Sequence, residues 1–80
     1  MREIPYGLPK VVFERGEQRC YDMKEEVEIA ILRASLYGRK REIMIAYRRE
    51  KTYIVFITIH PLKKGQLKNR LASGRWKLIH

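Results

Sequence analysis

The chain has one cysteine, Cys20, in 80 residues, so no disulfide can form within it. With that single thiol and two histidines, a structural zinc site has no ligand set to draw on, and no metal or cofactor is expected. Apolar runs such as Ile54-Val55-Phe56-Ile57 are too short to span a bilayer. The opening MREIPYGLPK lacks the apolar stretch of a signal peptide, so the expected location is cytoplasmic, with no membrane partner. There is no glycine-rich phosphate loop, no Ser-His-Asp arrangement, and no carboxylate pair beside a catalytic cue.

Acidic residues are scarce in one half only. Residues 1–38 carry six basic and seven acidic side chains, a net of −1, while residues 39–80 carry twelve basic and two acidic, a net of +10. The whole excess of +9 therefore sits in the second half. Such a one-sided field concentrates polyanions, and nucleic acid is the polyanion expected here; a solubility surface is the plain alternative. A chain this short buries only about 60% of its unfolded surface, so an oligomer or a protein partner fits its size.

Residues 1–80 read as a single domain with an irregular N-terminus over 1–10 and a basic C-terminal element over 61–80. Val11-Val12-Phe13 reads as a short strand. Asp22 reads as a helix N-cap, and Glu25 three residues on completes a capping-box pattern. Met23, Val27, Ala30, Ile31 and Ala34 form an apolar stripe at helical spacing, with Gly38 as a stop, so the main helix is predicted from Met23 to Leu36. Ile29, Leu32 and Leu36 fall on its opposite side. They are either buried there or a face for a partner protein. Glu42 to Tyr47 reads as a strand, Arg48 to Lys51 as a turn, and Thr52 to His60 as a central strand closed by Pro61. Gln66 to Ala72 fits a short helix, and Arg75 to Ile79 a last strand or tail. The expected fold is α+β, a small twisted antiparallel sheet with one main helix packed on it.

His60 is the candidate for proton transfer, because imidazole is the side chain that ordinarily titrates near neutrality, and it closes a rigid strand. Lys63, Lys64, Lys68, Arg70, Arg75 and Lys77 follow within one short segment. Cleaving RNA needs a base for the 2′-hydroxyl, a stabiliser for the charged phosphorane and a proton for the leaving oxygen. A histidine with converging arginine and lysine side chains can meet those needs. The expected catalytic set is His60, Arg70 and Lys64. Arg48, Arg49, Lys51, Lys63, Lys68, Arg75 and Lys77 are expected to meet phosphates. Tyr47, Tyr53 and Trp76 are candidates for stacking on bases, although a core place suits Tyr53 better. Trp76 serves equally well as an anchor for the tail.

The segments MKEEVEIAIL, LYGRKREIMIAYRREKTYIVFITIHPLKKGQ and KNRLASGRW together resemble the DUF4258-type, BrnT-like and RelE-like toxins of toxin–antitoxin systems, over roughly residues 20–76. The resemblance implies a compact RelE-like α+β fold and a metal-independent endoribonuclease that acts on RNA, ribosome-bound messenger RNA included, and is inhibited by a cognate antitoxin. In that frame His60 ends the central strand, and Lys63, Lys64 and Arg70 occupy the basic segment after it. The alternatives are a non-catalytic nucleic-acid-binding module or a protein-interaction subunit presenting Ile29, Leu32 and Leu36, with a homo-oligomer among the possible assemblies.

Overall fold

The computed structural model describes residues 7–36 and 38–79, apart from the side chain of Leu36. Its elements in chain order are α1 (Leu8–Arg15), β1 (Gln18–Asp22), β2 (Val27–Leu36), β3 (Arg39–Arg49), β4 (Ile54–Pro61), α2 (Gln66–Ala72) and β5 (Trp76–Leu78). The five strands form one open sheet in the order β4-β3-β2-β1-β5, and each neighbouring pair is antiparallel. Four antiparallel steps leave the two edge strands, β4 and β5, running the same way. The chain joins them through α2, so the class is α+β. No helix among the described residues is long and apolar enough to cross a membrane.

The expected main helix over 23–36 is not there: Val27–Leu36 is β2, in the middle of the sheet order. The capping signal at Asp22 is real but serves a single turn. Asp22 Oδ1 accepts the backbone amides of Lys24 and Glu25 at 2.9 and 3.0 Å. The Glu26 amide then donates to the Asp22 carbonyl at 2.8 Å, with Glu26 at φ 57°, and the chain turns into β2 opposite β1. Apolar residues on both sides of this segment are what a strand buried on both faces requires. Ile29 is accordingly buried and Leu32 half-buried, so neither belongs to an exposed helix face; the side chain of Leu36 lies outside the described residues.

Helix α1 replaces the expected strand at Val11-Val12-Phe13 and begins inside the stretch expected to be irregular, of which residues 1–6 lie outside the described residues. Pro9 sits in its first turn, where a missing N–H costs no helical hydrogen bond. The helix packs Leu8, Val12 and Phe13 over Ala30, Ile43, Ile45 and Tyr47. On the opposite face, Leu67 and Leu71 of α2 pack against a cluster that includes Ile29, Ile31, Met44 and Trp76. The sheet thus lies between two helices rather than under one.

Strand β4 is an edge strand, not the expected central one. Its register slips once: Phe56 faces Tyr47 and Thr58 faces Ala46, which leaves Ile57 as an extra residue in a bulge. Strict alternation would put Phe56, Thr58 and His60 together. The bulge instead leaves Phe56 with Phe13 on the α1 side, with ring centroids 5.7 Å apart, and sends Thr58 and His60 to the α2 side opposite Ala46 and Met44.

Candidate functional site

On the α2 face a cleft of about 380 Å³ opens between β4 and α2. Its floor is Val27, Ile29, Met44 and Ala46, from β2 and β3. Around that apolar floor stand Arg48, Ile57, Thr58, His60, Gln66, Arg70 and Arg75, with Asp22, Glu25 and Trp76 completing the lining. Three arginines and a histidine therefore face one concavity with a low-dielectric floor, where a charge interacts more strongly than it does in open water.

Local structure explains how each reaches the cleft. His60 is opposite Met44 and exposed, with Nδ1 3.0 Å from the Pro61 carbonyl oxygen. The Leu62 amide donates to the Glu42 carbonyl at 2.7 Å, which ends β4 against β3. Gly65 then takes φ 77°, a left-handed conformation open to glycine, and α2 starts. The Lys63 amide donates to Gln66 Oε1 at 2.9 Å, tying the first turn to the loop before it. Gln66 and Arg70, one helical turn apart, share the cleft face, while Leu67 and Leu71 take the core face. Arg70 Nε is enclosed and has no hydrogen-bond acceptor among the described residues.

The wall opposite His60 is built on Asp22. Its Oδ2 accepts the Trp76 indole N–H at 2.9 Å, and Arg75 Nε lies 3.5 Å from Oδ1. Arg75 Nη2 also lies 3.9 Å from Glu25 Oε1. Burial pushes the Asp22 carboxyl up, but the amides of Glu25 and Lys24, the indole of Trp76 and Arg75 together outweigh it and hold the group below its ordinary value.

The other expected site residues are dispersed. Lys63 and Lys64 line a separate groove with Arg33, Arg39, Lys40 and Arg41, so Lys64 does not share the cleft of His60 and Arg70. Lys68 is exposed on α2 and Lys77 on β5; Lys51 is in the β3–β4 turn. Arg48 pairs with Glu50 at 3.2 Å and still lines the cleft. Arg49 binds Glu28 at 2.8 Å and lies 5.6 Å from the centre of the Tyr47 ring. Trp76 is 4% exposed, which makes it the anchor of β5 rather than an open platform. Tyr47 is fully buried, edge-on to Phe13, whereas Tyr53 is 62% exposed at the hairpin. Cys20 is buried, and burial pushes its thiol up. Among the described residues no three His, Cys, Asp or Glu side chains gather as metal ligands would.

Sequence reasoning missed Asp22 and Gln66 as parts of the site. The capping pattern at Asp22 was legible, but nothing in the sequence ties it to Trp76, 54 positions away. No family model matches this chain, and neither a curated protein nor a solved structure does.

Proposed function

We propose that this protein is a toxin-like endoribonuclease of the RelE and BrnT kind, acting on single-stranded cytoplasmic RNA laid across the cleft. One observation carries the reading: His60 faces the same cavity as Arg70, whose Nε is enclosed without an acceptor. Arg70 is in no ion pair among the described residues, so a phosphate in the cleft would meet an uncompensated guanidinium charge. In the proposed step the 2′-oxygen attacks the adjacent phosphorus and the 5′-oxygen leaves. His60 takes the 2′-hydroxyl proton, and the leaving oxygen takes a proton from water at the open side of the cleft. Arg70 and Arg48 stabilise the extra negative charge on the phosphorane. Arg75, held by Asp22 and Glu25, positions the neighbouring phosphate. Lys64 takes no part in proton transfer. The products are a 2′,3′-cyclic phosphate and a 5′-hydroxyl, and end-group analysis of RNA incubated with the protein tests the chemistry. Products carrying a 5′-phosphate would rule out this route.

A protein inhibitor would bind at β4 rather than at Ile29, Leu32 and Leu36. This edge has no charged residue from Tyr53 to His60, and Phe56 and Ile57 are 41% and 47% exposed. An added strand there would lie beside His60 and cover the cleft mouth. Phe56→Lys, on the same edge but outside the cleft lining, should release such an inhibitor without loss of cleavage; retained inhibition would place the partner elsewhere.

A further inference from the structure

The groove that holds Lys63 and Lys64 has no part in the proposed chemistry. It is a concavity of about 520 Å³ at the end of the β2–β3 hairpin. Arg33, Arg39, Lys40, Lys63 and Lys64 are all exposed on it. Its one carboxylate is Glu42, and among the described residues none of these cations is in an ion pair. The Leu62 amide on the Glu42 carbonyl pins the lysine segment against β3, so charges from three parts of the chain face one space. Six like charges held around a single carboxylate repel one another, and an anion that enters relieves that repulsion.

The groove adjoins the cleft. Only Pro61 and Leu62 separate His60 from Lys63, a span of at most about 11 Å of chain. We propose that this groove is a second nucleic-acid site that holds the phosphate backbone of the same single-stranded RNA to one side of the bond placed at His60. The inference rests on the endoribonuclease reading and adds that the substrate is a chain long enough to fill both concavities. A concave cationic surface suits a strand that threads through it, whereas an anionic membrane would need a flat face with apolar residues to insert.

The test uses the triple variant Arg33→Gln, Arg39→Gln, Lys40→Gln, whose side chains are exposed and outside the cleft. Binding of a single-stranded RNA of about 12 nucleotides is measured over a range of salt. The variant should bind about tenfold more weakly, and its log–log salt slope should be shallower by about 0.7 for each phosphate no longer neutralised. Cleavage of a dinucleotide, which cannot reach the groove, should be unchanged. If the variant keeps the wild-type affinity and slope, or if the wild type binds no RNA at low salt, the second site is overturned. The same holds if the variant loses binding only to phosphatidylserine vesicles while RNA binding is intact. If the wild type binds with the expected slope change but cleaves nothing, the groove stands and the endoribonuclease reading falls.

Discussion

The Trp76 indole nitrogen lies 2.9 Å from Oδ2 of Asp22, so a buried carboxylate at the end of β1 fastens the short edge strand β5 and the cleft wall beside it. Asp22 is 3% exposed, and no water can readily replace its oxygens. Asp22→Ala would strand the indole N–H and the amides of Lys24 and Glu25. A loss of about 3 kcal/mol is expected, read as a lower denaturation midpoint at unchanged slope. Asp22→Asn, which keeps one acceptor oxygen, should lose less.

The same carboxyl sets a pH dependence. Its folded-state value is held below the ordinary one, so ionised Asp22 favours the folded chain. That contribution is complete above the unfolded-state value of about 3.9 and disappears as the pH falls through the lower folded-state value. Thermal scans should therefore show this stabilisation intact near neutrality and falling away below about pH 4. Asp22→Asn should remove that part of the acid sensitivity.

Gly16 joins α1 to β1 at close quarters. A Cβ there would come within 2.8 Å of the Val12 carbonyl oxygen and 3.2 Å of the Ala30 Cβ. Gly16→Ala must push α1 off the sheet, and a loss of about 2 kcal/mol is expected by denaturant unfolding.

Ile29 tests the reassignment of 27–36 from helix to strand. It is 1% exposed in the core beneath α2. Ile29→Ala should cost about 3 kcal/mol of stability by denaturation, with no change in the oligomeric state measured by sedimentation. An exposed partner-binding isoleucine would give the reverse pattern.

The second half of the chain was more legible than the first. Arg39–Arg49, Ile54–Pro61 and Gln66–Ala72 are rich in local signals: β-branched runs, charged turns, a proline stop and the glycine before α2. Val27–Leu36 misleads because Val27, Ile31 and Ala34 fit a helical stripe while Val27, Ile29 and Ile31 also alternate. Only burial on both faces separates the two patterns, and that depends on α1 and α2. The short helix at Val11-Val12-Phe13 is likewise decided by its packing on Ile43, Ile45 and Tyr47, against a β-branched local preference. For the site, His60 and Arg70 were readable as candidates from residue type and position. That they face one cleft depends on the bulge at Ile57 and the crossing of α2, neither of which has a sequence signature. Lys64 was grouped with them through closeness along the chain, yet the turn after Pro61 carries it to the other groove.

The central claim is that His60 and Arg70 act on one phosphate, and single-turnover cleavage of an end-labelled single-stranded RNA tests it most directly. Wild-type protein should cleave. His60→Ala and Arg70→Ala should each lower the rate by about 10²–10⁴-fold while circular dichroism shows the fold intact. Cleavage by both variants at the wild-type rate would contradict the account.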